Sequence, residues 1–234
     1  MRRERRGWIG RLIGGLTGLL GYLGLVVVLL AVAIAPVQAE NLSHLQQVLR
    51  NEVCPSCDLS YAQLERNNLD YAYLSGAYLV GTNLRRTHLT QAHFDETCAI
   101  GANFEEAQGD RIDFTGADLS GANFNNSHFV EGKFNGAALI KAKFIKADLA
   151  GADLSKSDLR DSRLQDANLV RADLTRANLA FADLTGADLS HARLNGADLR
   201  SVDLEGAILT DANLTDANFC GATWIDGTKT YKGC

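Results

Sequence analysis

A chain of 234 residues would ordinarily fill one or two compact domains, and 46% hydrophobic residues exclude a disordered polymer. Two prolines and one methionine, beside very frequent Ala, Leu, Asp, Asn and Gly, set it apart from an average globular composition. The net charge of −5 is unevenly placed: residues 1–39 hold five arginines and one acid, +4, so the chain from Glu40 onward carries −9, which disfavours unaided binding to nucleic acid or anionic lipid.

The chain opens with the basic MRRERRGW, and residues 12–35 carry no charge. This is the pattern of an export signal, with Val37-Gln38-Ala39 placed for cleavage after Ala39. A retained membrane anchor is the competing reading, because 24 uncharged residues can span a bilayer. Either way the arginines stay on the cytoplasmic side and the acidic body is outside the cytoplasm.

Residues 40–58 are expected to form an N-terminal cap. In NLSHLQQVLRNE, Ser43 and Gln46 have capping-box spacing, and Leu42, Leu45, Val48 and Leu49 share one face, which predicts a short helix near 42–52.

From Leu59 to Trp224 an apolar residue recurs every five positions without an insertion. The 34 centres are 23 Leu, eight Phe, one Trp and two exceptions, Ala99 and Gly109, and the residue two before each centre is Ala in 23 cases and otherwise mostly small. A helix would smear these centres over its whole surface, and a strand would alternate them between faces. A chain that turns a corner every five residues satisfies the pattern, with the centre and the residue two before it pointing inward. Four corners close a square coil of twenty residues, and coils stack at about 4.8 Å. Gly two after the centre, as at Gly76, Gly81, Gly116, Gly121, Gly186, Gly196 and Gly206, suits a type II turn. Ala99 and Gly109 fall on opposite walls of a coil whose other walls carry Phe104 and Phe114, so the two rings are expected to fill the space.

The tandem A(D/N)LxG over residues 59–224 resembles the pentapeptide-repeat family. The resemblance implies an all-β solenoid, a right-handed quadrilateral β-helix, preceded here by the signal or membrane helix and the short capping α-helix. Exported relatives with a CPxCDLS-type cap imply a cyanobacterial-type member in the periplasm or thylakoid lumen. Residues 225–234 form a C-terminal cap or tail, with Trp224 and Ile225 expected to lid the last coil.

Five cysteines in an exported chain suggest two bridges and one thiol left over. Cys54 and Cys57 are the clear pair by proximity, Cys220 and Cys234 would tie the tail to the last coil, and Cys98 points outward without an evident partner.

Chemistry is hard to find. Asp148, Asp153, Asp158, Asp173, Asp183, Asp188 and Asp198 all precede a centre, the generic outward position of a convex rod without a cleft. They read as a wet exterior, with Lys146 above Asp166 and Lys141 above Asp161 expected as exposed ion pairs. No catalytic residue, metal site or cofactor is expected. Two outward groups stand out: Val80, Ile100 and Ile140 in one column, and Tyr61, Tyr71, Tyr73 and Tyr78 on the first coils. They are the candidate surface for an unidentified protein partner.

Three functions fit. The first is a non-enzymatic scaffold or interaction rod outside the cytoplasm, touching membrane only through its N-terminal segment and no nucleic acid, as monomer or homodimer. The second is implied by the resemblance, since some family members are acidic rods that mimic DNA and inhibit type II topoisomerases; the export segment and interleaved lysines and arginines oppose it. The third is an envelope redox protein acting through Cys54 and Cys57.

Overall fold

The computed structural model describes residues 39–50, 53–231 and 234. The basic start, the uncharged stretch 12–35 and the approach to the Ala39 cleavage site therefore lie outside the described residues. Residues 41–234 form one compact unit.

The first element, α1, spans Ala39–Leu49. It begins and ends about three residues earlier than the capping-box pattern predicts, so Ser43 lies inside the helix and does not cap it. Val48 is buried and Leu45 packs beside it on the solenoid core, whereas Leu42 and Leu49 are exposed. His44 joins α1 to the first coil: its Nδ1 accepts the Asp58 N–H at 3.2 Å.

The five-residue unit then repeats as a coil. Each residue before a centre forms a parallel bridge with the residue twenty further on, from Asp58 with Tyr78 to Asp203 with Thr223. We number the walls by the triplets that form them, whose first and third residues face inward: wall 1 contains 57–59, wall 2 contains 62–64, wall 3 contains 67–69 and wall 4 contains 72–74, each recurring every twenty residues.

A full accounting of backbone donors explains why five residues suffice. The centre donates to the next coil (Leu59 N–H to Tyr78 O, 2.7 Å), as does the residue two after it (Tyr61 N–H to Val80 O, 2.8 Å). The residue before the centre donates to the preceding coil (Tyr78 N–H to Cys57 O, 2.8 Å), and the residue three after it closes the turn (Ala62 N–H to Leu59 O, 3.0 Å). The fifth donor, one after the centre, finds a side chain: Asp or Asn before the centre accepts it, as Asp58 does from Ser60 at 3.0 Å and Asp188 from Ser190 at 2.9 Å. Every N–H of such a unit is satisfied, which is why proline is nearly absent and why Asp and Asn, rather than Glu and Gln, occupy that position.

The second residue after each centre from Cys54 to Phe219 has positive φ whether or not it is glycine, including Tyr61 at 61°, Lys156 at 57° and Phe181 at 63°. The left-handed corner is thus a property of the coil, and glycine relieves it where it occurs.

Inside, Leu and Phe stack coil upon coil. On wall 2, Phe104, Phe124 and Phe144 are stacked, with centroids 4.8 and 4.6 Å apart. Phe104 and Phe114 meet edge-on across the coil of Ala99 and Gly109, at 5.4 Å. The gap at Gly109, however, is occupied by Phe129 from the next coil of the same wall. A Cβ added to Gly109 would stand 2.5 Å from the Phe129 ring and 3.1 Å from Leu89. Space is therefore shared between coils as well as across one.

The ladder begins one unit earlier than the Leu59 start read from sequence. Cys54 N–H already donates to Tyr73 O at 2.9 Å, and Cys54 and Cys57 occupy a centre and the next inward position. At the other end, Thr223 pairs antiparallel with Lys229, and the tail folds back through Thr230 N–H to Ala222 O. Trp224 packs edge-on to Phe219 at 5.2 Å, but Ile225 is exposed and is no lid. The hairpin covers wall 2, while Leu209 and Leu214 on walls 3 and 4 stay partly open.

Candidate functional site

The aspartates are placed first by the turn. Asp148, Asp153, Asp158, Asp173, Asp183, Asp188 and Asp198 each accept the backbone N–H two residues on, at 2.9–3.3 Å. They cap corners in addition to facing water. Asp158 and Asp198 are held below the ordinary carboxylate range, chiefly by side-chain bonds from Arg160 and Arg200, against an opposing contribution from burial. Burial pushes the Asp113 carboxyl up, but bonds from Thr115 and Lys133 outweigh it and its pKa is lowered.

The column ion pairs differ from those expected. Arg86 with Glu106 (2.6 Å), Arg111 with Glu131 (2.7 Å), Lys133 with Asp113 (3.1 Å) and Arg193 with Asp173 (3.4 Å) form across coils. Lys141 with Asp161 and Lys146 with Asp166 do not, although all four sit at exposed corners. Among the described residues no three His, Cys, Asp or Glu side chains are grouped to hold a metal ion. No described helix is long and apolar enough to cross a membrane.

The bonded cysteines are Cys54 with Cys57 and Cys220 with Cys234, with Cα atoms 5.5 and 4.8 Å apart. Cys54 and Cys57 are 1% and 4% exposed and lie among the core residues of the first coil. An attacking thiolate would have to open that coil, which removes the access a redox site needs. Cys98 is a free thiol on wall 1, bridged between Tyr78 and Asp118.

The outward apolar residues are divided by the coil. Val80, Ile100 and Ile140 lie in the column just beyond the wall 1 centres, at the edge between walls 1 and 2. Tyr61 lies at the same edge with its ring against Gly81, and Tyr78 lies beside it on wall 1. Tyr61, Tyr78 and Ile100 are 71%, 54% and 42% exposed. Gly101 and Gly121 continue this edge with open space over their α-carbons. Tyr71 and Tyr73 are elsewhere: Tyr71 is at the diagonally opposite edge, and Tyr73 on wall 4 stacks on His93 at 4.4 Å. Sequence reading missed Ala180 and the exposed Phe181, which fall in the same edge columns. Steps of twenty from Tyr61 and Val80 would have found both.

A four-walled stack of five-residue units, with a disulfide in its first coil and another at its last, defines a repeat solenoid. The model of the pentapeptide repeats matches eight copies within residues 56–223, and the chain belongs to that family. Its neighbours are β-helices of right-handed coil. No curated protein matches the sequence.

Among solved structures, the chain is similar to HetL, a pentapeptide repeat protein involved in heterocyst differentiation regulation from the cyanobacterium Nostoc sp. strain PCC 7120. They share 32% identity over 75% of this chain and 92% of that one, at a TM-score of 0.32. QnrB1, a plasmid-mediated fluoroquinolone resistance protein, superimposes with a TM-score of 0.65 at 17% identity, over 73% of this chain and 89% of that one. A pentapeptide repeat protein from the Arabidopsis thaliana thylakoid lumen is 29% identical over 49% of this chain and 70% of that one, at a TM-score of 0.32.

Proposed function

We propose that this protein is a non-enzymatic interaction rod outside the cytoplasm, in a periplasm or thylakoid lumen, that seats a protein partner on the edge formed by Tyr61, Tyr78, Val80, Ile100 and Ile140. The observation that carries this reading is the line of apolar side chains along one edge, with Tyr61, Tyr78 and Ile100 exposed and Val80 and Ile140 half-buried, beside the open Gly101 and Gly121. The basic and apolar start of the chain supports export, and two bridges suit an oxidising compartment.

Cys98 supplies a native handle for the test, being the unbridged cysteine next to Tyr78. A thiol-reactive photo-crosslinker on Cys98 in the native membrane fraction should capture a discrete partner. Val80→Ser, Ile100→Ser and Ile140→Ser together should abolish the adduct while the thermal transition stays in place. An adduct unchanged by the triple substitution would sink the reading.

The body charge of −9 and the QnrB1-like fold favour, as a second reading, a DNA mimic acting on a type II topoisomerase. Inhibition of supercoiling at low protein concentration would put it first.

A further inference from the structure

Wall 2 has a charge pattern that the other walls lack. Reading its outward column through consecutive bridges gives Asn103, Asn123, Lys143, Arg163, Asp183 and Asp203. Neutral amides come first, then two adjacent cations, then two adjacent anions. On wall 4, Asp153 and Asp173 are also neighbours, but no two cations adjoin and each cation pairs within the chain, Lys133 with Asp113 and Arg193 with Asp173. On wall 2, like charges are set side by side, an arrangement that destabilises a sheet when nothing compensates it. Lys143 and Arg163 are exposed and enter no ion pair among the described residues, although the corner acids Asp161 and Asp166 flank them. Asp183, bridged to Arg163, is engaged instead by Gln165 and by the N–H and hydroxyl of Thr185.

We propose that this part of wall 2 is the contact between two antiparallel copies of this chain. A two-fold axis lying in the interface, across the coil axis and midway between Arg163 and Asp183, reverses the order of coils and keeps the lateral order. It sets Arg163 opposite Asp183 of the partner subunit and Lys143 opposite Asp203 of the partner subunit, with each pair occurring twice. At the neighbouring edge it aligns Lys146 with Glu205 of the partner subunit.

The repeat also favours a second copy over an unrelated protein. Charges on wall 2 recur at the coil spacing of about 4.8 Å, and only a partner with the same spacing stays in register over four coils. The surface is rigid, so matching it orders no loop. This contact borders the apolar edge at Ile140 and Phe181, but it rests on the charges of the wall 2 column and not on what that edge binds.

Sedimentation velocity of the full chain in a non-ionic detergent, over a concentration series at low salt, tests the proposal. The native chain should form a reversible dimer that weakens as salt rises, because exposed pairs are screened. Lys143→Glu with Arg163→Glu should sediment as a monomer, as should Asp183→Lys with Asp203→Lys. An equimolar mixture of the two reversed chains should regain the dimer. Asp183→Asn with Asp203→Asn keeps the oxygen that caps each turn, so it should weaken the dimer without moving the thermal transition. A native chain that stays monomeric, a dimer indifferent to these reversals, or a mixture of folded reversed chains that fails to associate would each overturn the proposal.

Discussion

Residues 94–144 and residues 149–204 share one register and differ in filling. In the first stretch phenylalanine alternates with Leu, Ala99 and Gly109, and Phe114 lies within ring-contact distance of Phe94, Phe104, Phe124, Phe129 and Phe134. In the second every centre is leucine. The bridges run through both without a break, and the turn bonds do not change. Register is therefore set at the corner, by the turn and its Asx cap, while the interior needs only the right total volume distributed over neighbouring coils.

The largest effect should come from emptying the interlocked stretch. Phe114→Ala removes a fully buried ring that touches five others, a change that costs about 3–5 kcal/mol. Leu184→Ala in the uniform stretch should cost less, nearer the lower end of the roughly 2–5 kcal/mol range for leucine, because stacked leucines on each side can shift into the gap. Urea unfolding midpoints compare them, and equal losses would show that the rings act as independent fillers. Next in size, Gly109→Ala should destabilise by about 1–3 kcal/mol, since its Cβ would meet the Phe129 ring. Phe129→Leu added to it should recover much of that loss. The residue that looks like a defect in the repeat is then the partner of a ring one coil away.

The walls, corners and twenty-residue period were legible because inward side chains repeat in sequence with the same spacing as in space. The candidate edge was legible only in part. Val80, Ile100 and Ile140 form one column, but Tyr71 and Tyr73 fall on other sides because proximity in sequence is not proximity around a square coil. From sequence the first bridge belongs to the 40–58 cap, outside the repeat. It lies inside, because a centre and the residue three after it both point inward, and Cys54 and Cys57 have that spacing. Asp and Asn before the centre were read as wet exterior. Their turn-capping role depends on a donor count that becomes visible only once the ladder is known. The ends lack the period, and there the helix start and the position of Ile225 departed from expectation.

A smaller effect isolates the corner from the filling. Asp188→Ala leaves the interior untouched and strands the Ser190 N–H, so it should cost about 1 kcal/mol, and Asp188→Asn should restore it. The same pair of substitutions at Asp118, in the phenylalanine stretch, should give the same values, since its carboxylate accepts the Ser120 N–H in the same way at 3.1 Å. Chemical denaturation of the four variants would measure this. A cost that differed between the stretches would show that filling and corner are coupled after all.

The smallest effect is electrostatic. Asp158 titrates below its unfolded value because Arg160 binds its charged form. A depressed folded pKa stabilises the native state above the unfolded value, near 3.9, and the gain is lost as pH falls through the folded value. Asp158→Asn retains an oxygen for the turn and removes only the charge. It should lower stability by less than about 1 kcal/mol at neutral pH, the scale of an exposed ion pair. As the pH falls below the folded pKa of Asp158, the two proteins should converge. A gap that persisted in acid would place the effect in the turn bond, and corner geometry would then outweigh charge at this position.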